Sequence, residues 1–218
     1  MIIFQHFNNT FNDIAEIVVP HNREYCKKYN YTYKDYYGSF DQYYKSVTYG
    51  AYKEYWTKLL ILAQLLDSNE DEWILMLDGD ILLDKNNDIG IISKMMPKTK
   101  YIAVCRASSD ITQFWDINIG SLLVRTSVVS KLVIKGLLIL GEDSDFNYYE
   151  QPALQKALHE EELIRQAIEV FPPLTFNGID GPFLFHPCGK GFTTTEKDKD
   201  SAISNKLLAL KQKLSGSL

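Results

Sequence analysis

Asp78-Gly79-Asp80 is the triplet in this sequence best placed to do chemistry. It follows the unbroken apolar run Trp73-Ile74-Leu75-Met76-Leu77, which reads as a strand buried on both faces, as in the middle of a largely parallel sheet. Ligands of open α/β sheets sit beyond the carboxyl ends of the strands, and the triplet falls there. Two carboxylates one residue apart repel each other unless a cation lies with them. Oxygen ligands favour a hard cation, Mg2+ or Mn2+, and such ions commonly bridge a diphosphate. The plainer alternative is a solvated turn, because Asp-Gly is a common turn dipeptide. Against it, apolar residues resume at once with Ile81-Leu82-Leu83, so the turn is not at a free edge.

Two other uses of this stretch can be tested on the residues. A haloacid-dehalogenase phosphatase also has a strand followed by Asp-x-Asp, but with Thr or Val two residues further on and near its N-terminus. Here Ile81-Leu82-Leu83 follows, a third of the way along the chain. A calcium loop of the EF-hand type starting at Asp84 needs Gly at its sixth position and Glu at its twelfth, where this chain has Ile89 and Met95.

The elements that must position the triplet can be read from periodicity. Met1 to Phe7 reads as a buried strand closed by Asn8-Asn9-Thr10, Asn22 to Tyr29 as a helix, and Tyr29-x-Tyr31-x-Tyr33 as leading into a strand. Eleven of the 14 tyrosines fall between Tyr25 and Tyr55. They are either a core whose hydroxyls reach water or an aromatic wall for a sugar or base. Tyr52, Trp56, Leu59, Ala63 and Leu66 make a helical stripe, with Lys58 off it. Tyr101 to Cys105 reads as a strand, and so does Ile117 to Arg125, where Gly120 suggests a bulge or a close backbone approach. Thr126 can cap a helix to Leu140, and Glu150-Gln151-Pro152 opens another, with Ala153, Ala157, Leu158 and Leu163 apolar. Phe171-Pro-Pro, Gly178 and Gly181-Pro182 mark a long loop ending in His186-Pro187-Cys188-Gly189-Lys190. A last amphipathic helix runs through Ile203, Leu207, Leu210 and Leu214. Strands alternating with helices, without repeats or linkers, predict one α/β domain over residues 1–218.

Composition narrows the function. A net charge of −5 and a pI near 5.4 argue against a nucleic-acid binder that lives on phosphate neutralisation. Cys26, Cys105 and Cys188 are odd in number and far apart, with neither a disulfide framework nor a zinc spacing, which favours a reducing compartment. The N-terminus does not read as a signal peptide and no apolar run is long enough to span a bilayer, so a cytoplasmic protein is expected.

The ordered set Asn22-x-x-x-Tyr25, Tyr29 to Tyr33, Trp56-x-Lys58, WILMLDGDILL, Asn118-x-Gly120-Ser121-x-x-x-Arg125, Glu150-Gln151 and His186-Pro-Cys-Gly189-Lys190 resembles the GT-A class of nucleotide-sugar glycosyltransferases. Within it the likeness is to family 34, the galactosyl-, mannosyl- and xylosyltransferases, in a viral or bacterial form without the Golgi anchor of the eukaryotic members; a viral form would act in the host cytoplasm. The resemblance implies a Rossmann-like GT-A domain with a mixed, mainly parallel sheet. It implies transfer from a UDP-sugar to a hydroxyl of a glycan or glycoprotein, dependent on Mn2+ or Mg2+, with retained anomeric configuration. It implies that Asp78, Asp80 and His186 hold the metal. Gln5, His6 and Phe7 would meet uracil and ribose, Lys58 and Lys190 the diphosphate or sugar, and Gly79 the donor beside Asp78. Asn118 and Gly120 would border the donor sugar, and Gln151 would lie beneath the anomeric carbon with Glu150 beside it. The segment after His186 spaces its Gly and Lys differently from the glycogenin-like pattern. Two other classes use the same residues differently: a metal-dependent nucleotidyltransferase or phosphatase on the Asp pair, and a non-enzymatic carbohydrate-binding module on the tyrosines.

Overall fold

The computed structural model describes residues 1–44, 53–68, 71–107, 113, 115–142, 149–178, 181–187 and 199–216. Tyr52, Cys188, Gly189 and Lys190, to which the sequence reading gave roles, lie outside these residues. The strands are Ile2–Phe7 (β1), Thr32–Tyr37 (β2), Trp73–Leu77 (β3), Leu82–Leu83 (β4), Ile102–Arg106 (β5), Ile117–Arg125 (β6), Ile168–Phe171 (β7) and Leu184–Phe185 (β8). The helices are Asn12–Tyr29 (α1), Phe40–Tyr43 (α2), Lys53–Ser68 (α3), Ile91–Met95 (α4), Val128–Glu142 (α5), Glu150–Glu160 (α6), Glu162–Ala167 (α7) and Lys199–Ser215 (α8).

Six strands form one sheet in the order β2-β1-β3-β6-β5-β7, and β4 pairs with β8 in a small second ladder. β1 runs parallel to β2 and β3, and β5 parallel to β7, while β6 is antiparallel to both β3 and β5. All five residues of β3 are buried, as an apolar run without alternation requires. Ile74 and Met76 face the core under α3, α5 and α6 with Trp56, Leu62, Ile134 and Leu154. Leu75 and Leu77 face the opposite core with Tyr25, Cys26, Leu123 and Phe176. The mixed, mainly parallel α/β sheet expected from the sequence is therefore present.

Several boundaries differ from the sequence reading. α1 starts ten residues before Asn22 and passes through Pro20, whose exposed ring lets water reach the carbonyl that loses its amide partner. Thr126 does not cap α5; its hydroxyl donates to Asp71 O (2.7 Å), and Ser127 Oγ accepts from Ser130 N (3.1 Å) in the capping role. Leu163 is exposed in α7, because α6 ends at Glu160. In α8 the buried stripe is Ala202, Ala209 and Leu210, whereas Leu214 is exposed.

Three of the tyrosines, Tyr25, Tyr29 and Tyr31, resolve toward packing. Tyr25 is fully buried, with its hydroxyl donating to Asn87 O (3.0 Å) and accepting from Ile89 N (2.7 Å). Tyr29 donates to Lys85 O (3.1 Å) and Tyr31 to Asp88 Oδ1 (2.5 Å). These hydroxyls reach a protein loop, residues 85–89, rather than water, and hold the chain just beyond the Asp-Gly-Asp turn.

A buried amide network fixes that turn itself. Gln5 Nε2 donates to Asp78 O (2.7 Å) and Ile81 O (3.1 Å), and its Oε1 accepts from Asn22 Nδ2 (2.8 Å) and the Tyr33 hydroxyl (2.6 Å). Asn22 Nδ2 also donates to Ile81 O (2.8 Å), and its Oδ1 accepts from Leu83 N (2.9 Å). Removing the amide orphans buried groups, each at about 1–3 kcal/mol. Asn22→Ala is thus expected to lower unfolding free energy by about 3 kcal/mol in a urea titration. An unchanged midpoint would mean that the network does not hold the turn.

Candidate metal and donor site

The turn carries its two aspartates out of the end of β3. Asp78 N donates to Gly120 O (2.6 Å), so the turn starts against the neighbouring strand β6. Asp80 is 1% exposed, and Asp78 is partly exposed. His186 comes from the other side, just after β8. The loop before it is anchored by the Ser121 hydroxyl donating to Phe176 O, and His186 N donates to Gly178 O (2.9 Å). Gly178 has φ +128°, a conformation open to glycine, so that carbonyl can face the histidine.

The three residues converge. His186 Nε2 lies 3.3 Å from Asp80 Oδ1 and 3.8 Å from Asp78 Oδ2, and one ligand atom of each residue lies within 4.8 Å of the others. Asn177 sets the tautomer. Its Nδ2 donates to Asn118 Oδ1 (2.5 Å), so its Oδ1 must face the ring and accept from His186 Nδ1 (2.8 Å). With the proton on Nδ1, the Nε2 lone pair points at the carboxylates, the arrangement a metal-ligating histidine needs. Two carboxylate oxygens and an imidazole nitrogen suit a borderline divalent ion such as Mn2+ better than an all-oxygen Mg2+ site. The residues therefore fit a metal. Gly120 makes room: a Cβ there would lie 2.9 Å from His186 Nδ1 and 3.0 Å from Asp78 Oδ2, and closer still to Cε1. The expected close approach is real, and β5 also shifts register opposite this part of β6.

Lysines answer the repulsion between the aspartates. Lys58 Nζ bridges Asp78 Oδ1 (2.5 Å) and Glu150 Oε1 (2.7 Å). Its side chain is only 12% exposed, so it is not the solvated helix lysine that its place off the apolar stripe allowed. Burial would lower its pKa, but Asp78 and Glu150 raise it above the usual lysine value. Burial lifts the Glu150 carboxyl above its ordinary range, only partly offset by Lys58. Glu150 Oε2 is buried with no hydrogen-bond partner among the described residues. On the other side, the Lys206 ammonium of α8 contacts Asp80 Oδ2. Burial would lift Asp80, but Lys206 and, whenever its ring is protonated in the metal-free site, His186 hold it well below the usual carboxylate range.

The remaining residues named from sequence are distributed unevenly. Gln151, at the start of α6, accepts from Ile119 N (3.3 Å) beside Gly120. Asn118 accepts from Gly120 N (2.8 Å) and Asn177, acting as a brace for His186. Gly79 packs against His6 O and the Phe7 ring. His6 is half-buried; its Nε2 donates to Gly38 O (2.8 Å), its ring meets Tyr43 edge-on, and burial lowers its pKa. Two residues depart from the donor-facing role. Gln5 is fully buried, with both amide atoms engaged in the network under the turn. Phe7 is fully buried in the core between α1 and α8 and stacks on Tyr37. The two lie two residues apart on one face of β1, and that face is covered by the turn and by the core between α1 and α8. The sequence did not mark Asn177 or Lys206: the first lies in an irregular loop, and the second was masked by a helical phase read from leucines.

No protein-family model and no curated protein matches the chain. Solved structures do. A glycosyltransferase involved in glycosylation of the major capsid of PBCV-1 superposes with a TM-score of 0.69 at 17% identity, over 96% of this chain and 98% of that one. The apo-form glycosyltransferase GlyE of Streptococcus pneumoniae TIGR4 gives 0.56 at 13% identity, over 99% of this chain and 63% of that one. Mouse xyloside xylosyltransferase 1 in its apo form gives 0.52 at 10% identity, over 88% and 98%. With the six-stranded mixed sheet and the turn at the end of β3, these likenesses establish that the chain has the GT-A glycosyltransferase fold.

Proposed function

We propose that this chain is a metal-dependent glycosyltransferase that moves a sugar from a UDP-sugar to a hydroxyl of a glycan or glycoprotein, with retention at the anomeric carbon. The observation that carries the reading is the convergence of Asp78, Asp80 and His186, with Nε2 facing the carboxylates, at the end of β3. A carbohydrate-binding module would need no such cluster, and three of the tyrosines that would serve it, Tyr25, Tyr29 and Tyr31, are committed to the 85–89 loop.

Asp78, Asp80 and His186 would hold the ion, which when bound neutralises charge on the departing diphosphate. The other side chains orient the donor. Glu150 Oε2, buried and without a partner among the described residues, offers an acceptor for a sugar hydroxyl, with Lys58 fixing the carboxylate from its other oxygen. Gln151, tied to β6, offers an amide rather than a carboxylate beside the sugar. An amide is a poor general base, so this arrangement suits attack from the leaving-group face better than inversion by a base. His6 would border the nucleoside, and Lys190 would meet the diphosphate.

UDP with Mn2+ is expected to raise the melting temperature well beyond either alone. Proton NMR of the fresh product is expected to show retained anomeric stereochemistry. Absence of any UDP effect, with or without metal, would overturn the donor class; inverted product would overturn the retaining mechanism alone. His186→Ala is expected to weaken Mn2+ by tenfold or more and Mg2+ by clearly less, since imidazole suits the transition metal. Equal losses in calorimetric titrations of the two metals would remove His186 from the ligand set.

A further inference from the structure

α8 lies along α1 through Ala202, Ala209 and Leu210, against Ile14, Ala15, Val18 and Val19. Small alanines let the two helices approach closely. Lys206 stands one turn from Ala202 and one turn from Leu210, so it projects from the buried stripe and not from the solvent face. Its side chain is 16% exposed, and its ammonium lies 5.7 Å from the Phe11 ring centroid and against Asp80 Oδ2. A lysine on the buried stripe of a helix is costly unless it is paired. Here its partner is the most buried carboxylate of the candidate metal site.

Lys206 thereby takes Oδ2 of Asp80, while Oδ1 faces the His186 ring. Among the described residues the charges at the site are Asp78, Asp80 and Glu150 against Lys58 and Lys206, with His186 counted as the neutral ring that a metal ligand must be. The site without ligands is close to balanced. A divalent ion held by Asp78, Asp80 and His186 would sit across one carboxylate from an ammonium and would meet repulsion in a poorly solvated place. A polyanion arriving with the ion reverses that, because the same ammonium then faces negative charge.

We propose that Lys206 is an internal cation of the metal site: it opposes binding of the divalent ion alone and favours the ion together with a diphosphate, so that α8 couples the two ligands. The inference rests on the reading of Asp78, Asp80 and His186 as metal ligands. By linkage the coupling is reciprocal, so metal must strengthen UDP binding by the factor by which UDP strengthens metal binding.

The test is calorimetric titration of the full chain with Mn2+ alone, with UDP alone and with UDP at saturating Mn2+, for wild type, Lys206→Met and Lys206→Arg. Met keeps the stem that packs on Phe11 and removes the charge, while Arg keeps the charge. In Lys206→Met, Mn2+ alone is expected to bind roughly tenfold tighter, and UDP at saturating Mn2+ several-fold weaker, so the coupling factor falls by more than tenfold, within the usual range for coupled sites. Lys206→Arg is expected to stay near wild type. Far-ultraviolet circular dichroism and melting curves on the same samples report whether α8 stays folded. Mn2+ affinity unchanged or weakened in Lys206→Met, with wild type binding both ligands, would overturn the role of Lys206 and leave the metal site standing. Wild type that binds neither Mn2+ nor UDP would overturn the reading of the site and this inference with it.

Discussion

Asp80→Asn is expected to reduce Mn2+-supported UDP binding by about a hundredfold or more, beyond the 10–100-fold typical of residues that only brace a metal ligand. It is also expected to lower the melting temperature of the metal-free protein. Two adjacent carboxylates read from sequence suggest the opposite, since neutralising one should relieve repulsion. The structure reverses that expectation because each aspartate already has its own cation, Lys58 on Asp78 and Lys206 on Asp80. An amide at position 80 keeps the shape but leaves Lys206 facing a neutral group in a buried place. The loss should be about 2 kcal/mol, below the 3–5 of a fully buried broken pair, because a lysine stem can carry its ammonium outward. The sign with pH follows from the depressed Asp80 value. Stability from a depressed carboxylate is present above its unfolded pKa of about 3.9 and is lost as pH falls through the folded value. The gap between wild type and Asp80→Asn in urea titrations should therefore hold from neutral pH down to about pH 4 and close below it. A variant as stable as wild type, or one that still couples Mn2+ to UDP, would remove Asp80 from the centre of the site.

How much of the site is legible in the sequence depends on the distance over which each signal acts. β3 and its turn were legible because a five-residue apolar run ending in Asp-Gly-Asp needs no partner to be recognised. β6 with Gly120, and α6 opening at Glu150, were legible for the same reason. The tilt of each charged side chain was not. Lys58 lies off the apolar stripe of α3, yet it points into the protein because Glu150 and Asp78 draw it there from distant segments. The face of α8 was misread by one position because leucines were weighted and alanines were not. Close packing against α1 rewards the small residues and turns Lys206 inward. Gln5 and Phe7 were placed at the end of β1 correctly as positions, but their side chains serve the turn and the core. His186 was legible as a candidate ligand, and its tautomer was not, since that depends on Asn177 in an irregular loop.

Lys58→Met is expected to be the most destabilising single change at the site. It leaves the Glu150 carboxylate, 3% exposed and with Oε2 already unpartnered among the described residues, without the counter-charge of Lys58. Breaking a buried pair from one side costs about 3–5 kcal/mol. Asp78 adds less, because at 31% exposed its carboxylate can turn to water. The pH dependence separates this cause from lost packing of the methylene stem, which Met largely preserves. Glu150 is already raised by burial, and without Lys58 it loses the charge that chiefly holds it down. A raised carboxyl is compatible with the fold below its unfolded pKa of about 4.3, and it costs stability as pH rises through the folded value. The variant should thus lie nearest wild type in acid and fall away toward neutral pH. Lys58 itself, raised in the fold, contributes fully below its unfolded pKa of about 10.4, so wild type has no matching decline over that window. The double variant Lys58→Met, Glu150→Gln removes both charges and should regain most of the loss, since replacing both members of a buried pair is often close to neutral. Urea titrations of the two single variants and the double variant at mildly acidic and neutral pH measure the cycle. If the double variant were as unstable as Lys58→Met at neutral pH, the uncompensated Glu150 charge would not be the cause, and the bridge from α3 to α6 would owe its strength to packing alone.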